Sequence, residues 1–549
     1  MIPRGIRHVI PFLLLLLSLL PLPSQSSSFT EPRLSVMETD FPLAFTARLE
    51  VYNSDSMSSG IEFVWARTDG EGPTLVLTGA RSQSTTINTT VFNGTLFRLA
   101  PGHEYRVSAR EVANTSVITT TTAMSGLTYL QGLDGKSLDE SPLCEVSGEV
   151  SFDMLVLDHP SNGTVVVACD WTGWLVWFMA PQTTNSSWST WGVVSQLPGE
   201  TYNVLTIIND NSPGGEQKLG IFTPAGNLVD FVTPKCDVAD GASLTHECIA
   251  PEEDLGAVWQ SVVRNVEGRA QPQAGAVVGV WNRSSNTVIT MVDPFRLLDP
   301  AIQRGNMSDI AVEYPVFCGV NVSDSQDWLH GNAISKDNDS WILGLRHLSA
   351  VASVGVTDDG DAILEWFVSG EAAVNGSNFS FQNDTHRFYN IHGARIPRNP
   401  VGAGNLGLRG NEVKHILVFD NGDSRPASEG GQYSRGLEVE LDFERGTATA
   451  VWSFAPAEPH FSKHAGFVSE LKNGNRLVAF SCDSPPWSET CWIAMHEADR
   501  KGVEVGRTVV PLTPSVYTGW PGGYRAVVWE SIAGESIAGE RGAATDLTR

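Results

Sequence analysis

The sequence predicts an all-β chain, a six-bladed β-propeller preceded by a small N-terminal β-sandwich. Three observations carry that reading. Short strand-type runs bounded by Gly, Pro and Asn fill the chain, while helical periodicity is scarce, its best stretch being 293–303. From about residue 147 one element recurs six times: a strand, a tight turn and a second strand, often with Trp. The copies are 167–178 around Gly173, 219–232 around Gly226, 278–292 around Asn286, 354–368 around Gly360, 437–454 around Gly446 and 493–510 around Gly502. Gly or Asn at the turn supplies the positive φ that a tight hairpin needs. Finally, four histidines head four similar segments, at His246, His330, His392 and His464, each followed by a β-type run.

Taken in order, residues 1–28 read as a signal peptide: Arg4 and Arg7 precede the apolar run 9–22, which small polar residues follow. Residues 29–125 form the sandwich. The alternating runs 61–65 and 74–77, and a Pro-Gly turn feeding a strand near Tyr105, are its marks. Residues 126–535 hold the six repeats, which close radially because an open sheet leaves unpaired edges. Residues 536–549, after the duplicated Ser-Ile-Ala-Gly-Glu, read as a disordered tail.

Composition narrows the function. The 549 residues are 41% hydrophobic with 16 Trp, as a core-forming chain requires. A formal charge of −26 excludes a phosphate-tracking nucleic-acid binder, so any anionic ligand needs a local cationic site. After signal removal no apolar run is long enough for a membrane-spanning helix. Sequons stand at Asn88, Asn93, Asn114, Asn162, Asn185, Asn282, Asn306, Asn321, Asn338, Asn375, Asn378 and Asn383. Behind a signal peptide they indicate a glycoprotein, secreted or held in the secretory lumen. Seven cysteines fit an oxidising compartment with one thiol left over. By spacing, Cys236 pairs with Cys248 and Cys482 with Cys491, leaving Cys144, Cys169 and Cys318. A homo-oligomer is compatible with the sequence, which fixes no oligomeric state.

If each histidine opens one blade, the four imidazoles sit at equal radius and height and converge on one funnel. A neutral imidazole is a competent nucleophile near neutral pH. The same residues also read as structural links between inner strands, or, as three imidazoles, as a metal-dependent hydrolase. Arg346 counts against a metal, because a fixed cation repels one and suits an oxyanion instead. No metal and no cofactor is expected.

A run of matches singles out one family. Asp327-Trp328-Leu329-His330-Gly331-Asn332 is followed by Leu345-Arg346-His347-Leu348-Ser349 and by His392 ahead of Phe419-Asp420-Asn421-Gly422. Tyr433-Ser434-Arg435, Leu471-Lys472-Asn473-Gly474-Asn475 and Tyr524-Arg525-Ala526 complete it. In this order they resemble the bacterial arylsulfate sulfotransferases over most of the chain. That resemblance implies a six-bladed propeller with a small N-terminal β domain. It also implies sulfuryl transfer, without a nucleotide cofactor, from a small phenolic sulfate donor to a phenol acceptor through a sulfohistidine. It makes His392 the nucleophile, His330 and Asn332 transition-state contacts, Arg346 the sulfate-binding arginine and His246 the other catalytic histidine. His464 is a weaker substrate-binding candidate.

Four departures from the family pattern stand out: Ile391 stands where a polar Gln is expected, Glu247 where Asp is usual, Ala250-Pro-Glu-Glu-Asp-Leu255 lacks the usual Pro-Asn-Gly-Asn turn, and Leu348 stands where Gln is expected. The hydrogen-bond partner of His392 is thereby left open. These departures keep an alternative in view, a non-catalytic secreted or cell-surface propeller acting as a binding module. His347 is expected on the opposite side of a strand from Arg346, as packing. Asp420-Asn421-Gly422 reads as a turn, and Tyr433-Ser434-Arg435 as structural.

Overall fold

The computed structural model describes residues 32–537 except 40–42, 53–59, 71–73, 84–88, 114–115, 126–140, 160–164, 180–187, 199–202, 211–216, 234–242, 253, 270, 300–324, 402–412, 459, 464, 482–491, 512–525 and 530–535. The expected signal peptide lies outside these residues. Two antiparallel sheets form the N-terminal part. One runs Arg33–Glu38, Phe45–Tyr52, Thr89–Leu96, Ala80–Gln83 in space. The other holds Leu75–Thr78, Ile61–Arg67, Glu104–Glu111 and Val117–Met124. Burial alternates along Glu104–Glu111, so one face of that strand supplies Tyr105, Val107 and Ala109 to a core shared with Phe63, Trp65 and Phe92. The Trp65 indole donates to Phe97 O at 3.2 Å, which satisfies its one polar atom inside that core.

Six further antiparallel sheets follow in sequence. The third to the sixth begin with Ser243–Glu252, Gly331–Asp337, His392–Arg395 and Phe467–Glu470. The second begins with Trp188–Gln196. From the second sheet to the sixth, each first strand packs beside the first strand of its successor, and within each sheet the three strands that follow lie in sequence order away from it. The six expected hairpins all form, and Gly173, Gly226, Asn286, Gly360, Gly446 and Gly502 all have φ between 48° and 87°.

The first sheet is closed from the far end of the chain. Ala526–Trp529 pairs with Met154–His159 and becomes its fourth strand. Glu145–Gly148 in turn pairs with Glu504–Pro511 at the edge of the sixth sheet. Glu497 ties the two together by accepting from Ser151 N at 2.7 Å and Ser151 Oγ at 2.8 Å. Leu155 and Val166 of the first sheet share one core with Phe467, Leu477 and Met495 of the sixth. The sheets therefore follow one another and the last packs on the first.

Several expectations are corrected. Cys248 carries a buried thiol and not half of a disulfide. It points into the cluster of Leu205, Ile207 and Val258, and burial pushes its pKa up to about 12. Cys236 lies outside the described residues, as do Cys318, Cys482 and Cys491. Among the described residues the bridge is Cys144–Cys169, Cα to Cα 6.5 Å, which joins the residue before Glu145–Gly148 to the second strand of the first sheet. The tail expected to be disordered from 536 instead begins with Ser536–Ile537 paired to Leu75–Val76, because the edge of that sheet offers unpaired backbone groups. Among the described residues of 293–303, helix is limited to Pro294–Leu297, a single turn capped by the Asp293 carboxylate on Phe295 N. Among the described sequons, Asn282, Asn338, Asn375, Asn378 and Asn383 are exposed, and Asn93 is half-buried in a strand. Asn88, Asn114, Asn162, Asn185, Asn306 and Asn321 lie outside the described residues. Among the described residues no helix is long and apolar enough to cross a membrane.

Candidate active site

The candidate residues sit where the first strands of successive sheets begin, so their placement follows from how the chain enters each strand. Before the fourth sheet, Trp328 and Leu329 are buried apolar anchors, with the Trp328 ring 5.2 Å from Phe295. His330 then turns the chain with φ +49°, a conformation that is costly for a non-glycine residue unless its surroundings fix it. Asp327 does so. Its carboxylate accepts from His330 N at 3.1 Å and meets His330 Nδ1 at 2.6 Å. Gly331 opens the strand, and a Cβ there would stand 2.9 Å from the Trp259 indole. Asn332 is fully buried and donates from Nδ2 to Ile391 O at 2.7 Å, which ties this strand to the residue before His392.

Arg346 follows the next strand, Ser340–Leu345, in a short 3-10 turn, Arg346–Leu348, that ends on Ser349 at φ +44°. Its backbone N donates to His330 O at 3.1 Å, and its buried guanidinium donates to Lys463 O at 2.9 Å with Asp423 Oδ2 3.6 Å away. His347 lies in the same turn and not on a strand, so period-two alternation does not apply to it. It packs as expected. Its Nδ1 bonds to Asp327 O at 2.8 Å and its ring lies 4.6 Å from His330. Burial, helped by the neighbouring His330 and Arg346 charges and opposed by Asp327, pushes its pKa down to about 3.

A pH dependence follows. The folded pKa of His347 lies below the ordinary 6.5, so the neutral ring's contribution is complete above pH 6.5 and is lost as pH falls toward 3. From pH 7 to 5 that loss amounts to about 2 kcal/mol for this group. Urea unfolding at the two pH values should show His347→Asn less acid-sensitive than wild type by about this amount. Equal sensitivity would mean that the ring is not held neutral.

His392 opens the first strand of the fifth sheet and is 1% exposed. Its Nδ1 bonds to Asn421 Oδ1 at 2.7 Å. Asn421 is 0% exposed and donates from Nδ2 to Ser462 O at 2.7 Å and Ala465 O at 2.8 Å. Gly393 follows with φ +60°, and a Cβ there would stand 3.0 Å from the Phe467 ring. The segment 420–422 is thus more than the turn read from sequence. Gly422 does turn at φ +71°, Asp420 is held by Arg425 and by Arg435 at 2.9 Å, and Asn421 between them serves the imidazole. Arg346, after the second strand of the fourth sheet, bonds to His330 O, while Asn332 bonds to the residue before His392, so hydrogen bonds link the segments that carry these four residues.

A family model for the arylsulfotransferases (ASST) matches residues 142–506, well over half of the chain and the whole of this cluster. The chain belongs to the arylsulfotransferase family. It is also 22% identical over 240 residues to an arylsulfate sulfotransferase, AssT, of Lelliottia amnigena. That alignment takes in 38% of this chain and 38% of the relative, so it spans well under two thirds of the relative's length. Likeness to solved structures is slight. A periplasmic gluconolactonase of Pseudomonas aeruginosa shares 10% identity at a TM-score of 0.32, over 83% of this chain and 97% of that one. A protein from Lactobacillus plantarum shares 9% at 0.32, over 64% and 81%.

Within this member of the family the remaining expected residues fall as follows. His246 lies on Ser243–Glu252, the first strand of the third sheet, at a point where pairing skips between Thr245 and Cys248. Glu247 beside it is buried and accepts from Ile334 N at 2.5 Å, so this departure from the family pattern still links the third sheet to the fourth. His464 lies outside the described residues, between Lys463 and Ala465. Tyr433-Ser434-Arg435 is structural: Ser434 Oγ donates to Asn421 O and Ser462 O, while Arg435 donates to Thr385 O and Arg387 O.

Ligand atoms of Asp327, His330 and His347 lie within 4.8 Å of one another, the spacing of a metal cluster. Yet Asp327 Oδ2 and His330 Nδ1 are 2.6 Å apart, a hydrogen-bond distance. Two atoms each about 2.0 Å out on a tetrahedral metal would be separated by about 3.3 Å. As arranged, the pair orients an imidazole. Neither Asp327 nor Asn421 was assigned a role from sequence. For Asp327 a signal existed, a carboxylate three residues before His330 in a buried aromatic run.

Proposed function

We propose that this chain is a nucleotide-independent aryl sulfotransferase that moves a sulfuryl group from a phenolic sulfate ester to a phenol by a ping-pong mechanism through a sulfohistidine at His392. The scaffold proposed is a six-bladed β-propeller at 126–535 behind a β-sandwich at 29–125, reached by a secretory route. What carries the reading is the buried cluster joining His330, Asn332, Arg346 and His392 inside the family-matched region.

In the first half-reaction the lone pair of the imidazole forms an N–S bond while the bond from sulfur to the aryl oxygen breaks. The leaving phenolate keeps that electron pair and takes a proton from an acid–base imidazole. His330 suits this role, because Asp327 accepts from its Nδ1 and stabilises the charge the ring carries when protonated. Arg346 stabilises the non-bridging oxygens, whose charge is spread in a loose transition state. In the second half-reaction the acceptor phenol gives its proton to the same imidazole. Its oxygen attacks sulfur, and the N–S pair returns to His392. His246, on the first strand of the third sheet, and His464 complete the proposed set. Asn332 holds the Ile391 carbonyl, and through it the entry to His392.

Initial rates with nitrophenyl sulfate and a phenol test the reading. Parallel double-reciprocal lines and phenol-dependent release of nitrophenolate are expected. Intersecting lines, or no release by folded protein, would overturn it.

A further inference from the structure

We infer that Asn421 is the positioning residue that fixes the tautomer of His392, with Nδ1 protonated and Nε2 carrying the lone pair. The inference takes His392 as the nucleophile proposed above, and it goes beyond that reading by naming what makes one ring nitrogen reactive. Hydrogen-bond bookkeeping carries it. A neutral imidazole has one donor and one acceptor nitrogen, and which is which is set by the partner. Asn421 faces His392 Nδ1 at 2.7 Å. The orientation of its amide is decided by its other contacts. Two backbone carbonyls, Ser462 O and Ala465 O, stand at 2.7 and 2.8 Å from its nitrogen, and a carbonyl can only accept. The NH2 group is therefore spent on them, and the atom facing His392 is the oxygen. An acceptor opposite Nδ1 requires a proton on Nδ1.

The same segment also holds the anion-binding arginine. Arg346 donates to Lys463 O, between the two carbonyls that orient Asn421. Ser434 Oγ accepts from Ser462 N at 2.8 Å and donates to Asn421 O at 2.8 Å, which closes the frame. The carbonyls of Ser462, Lys463 and Ala465 thus act as one backbone clamp for the nucleophile's orienter and for the arginine. Gly466 must follow them: its φ is +125°, and a Cβ there would stand 2.2 Å from the Phe419 ring.

The chemistry gains twice. The reactive pair is confined to Nε2 before the donor arrives. When the N–S bond forms, Nδ1 keeps its proton and the ring becomes positive. The neutral Oδ1 stabilises that charge without removing the proton, so the sulfuryl group remains on a good leaving nitrogen for the second half-reaction.

The test is histidine ¹⁵N NMR of the full chain, with the His392 signals assigned by their loss in His392→Gln. Wild type should show a protonated Nδ1 and a pyridine-type Nε2. Asn421→Ala should move His392 toward the Nε2–H form and slow the first-turnover release of nitrophenolate by 10²- to 10⁴-fold, the range expected for inverting the tautomer of a catalytic imidazole. An Nε2–H ring in wild type would overturn the inference, and so would an unchanged spectrum and burst in the folded variant. The wild-type spectrum alone decides the tautomer if the variant does not fold. It needs no substrate, so an Nδ1–H ring in a protein without transferase activity would support the tautomer assignment while refuting the proposed activity.

Discussion

Replacing His392 by Ala is expected to lower aryl sulfate turnover by about 10⁴-fold or more while leaving the protein folded. The size of the effect follows from covalent catalysis: with no nitrogen to carry the sulfuryl group, two easier steps become one hard transfer. The structural cost is smaller. Asn421 Oδ1 loses the partner it has at 2.7 Å, and leaving a buried acceptor unsatisfied costs about 1–3 kcal/mol. Its amide stays anchored on Ser462 O and Ala465 O, so the clamp has no reason to collapse. Initial rates of nitrophenolate release, read beside a thermal melt, check both halves. Activity within tenfold of wild type would remove His392 from the chemistry.

The largest effect on stability is expected at Glu438. This carboxylate is fully buried and accepts from Arg476 at 2.7 Å, His415 Nδ1 at 2.9 Å and Val401 N at 2.6 Å. Burial alone would raise its pKa, and the bonds from His415 and Arg476 outweigh that and hold it below the ordinary carboxylate range. Arg476 is equally buried and also donates to Asn399 O and Gly474 O, so the pair locks the fifth sheet onto the sixth. Glu438→Ala leaves the buried guanidinium with only the Glu470 carboxylate, 3.9 Å away, and should cost about 3–5 kcal/mol. Glu438→Gln, which keeps an acceptor, should cost less. The sign with pH is set by the depressed pKa. The contribution is present above the unfolded carboxylate value and is lost as pH falls through the folded one. Chemical denaturation at pH 7 checks the ranking, and equal stability of all three proteins would refute it. Because Asn421 and the carbonyls of Ser462, Lys463 and Ala465 flank these sheets, loss of activity in Glu438→Ala should track its lowered unfolding transition.

The six hairpins were legible because they are local. Alternation with a period of two and one Gly or Asn at each turn report backbone conformation over a dozen residues, and every one of those turns has the positive φ expected. Closure of the first sheet was not legible. Ala526–Trp529 is a four-residue run, and nothing in it names Met154–His159, hundreds of residues earlier, as its partner. Cysteine spacing failed for the same reason: sequence proximity linked Cys236 to Cys248, while the fold brought Cys144 to Cys169 and buried Cys248 among aliphatic side chains. In the candidate site, the resemblance supplied His392, His330, Asn332 and Arg346, and hydrogen bonds link His330 to Arg346 and Asn332 to the residue before His392. It could not supply Asn421. A turn sequence reports φ and ψ, whereas that residue's role depends on what its amide touches in the fifth and sixth sheets.

The most direct test of the account is mass spectrometry of the His392 peptide from protein mixed with nitrophenyl sulfate and no acceptor, digested under mildly alkaline conditions. One added sulfuryl group is expected on the His392 imidazole, removed when phenol is supplied and absent from His392→Ala. Acceptor-dependent turnover with no adduct on His392, or with the adduct on another residue, would contradict it.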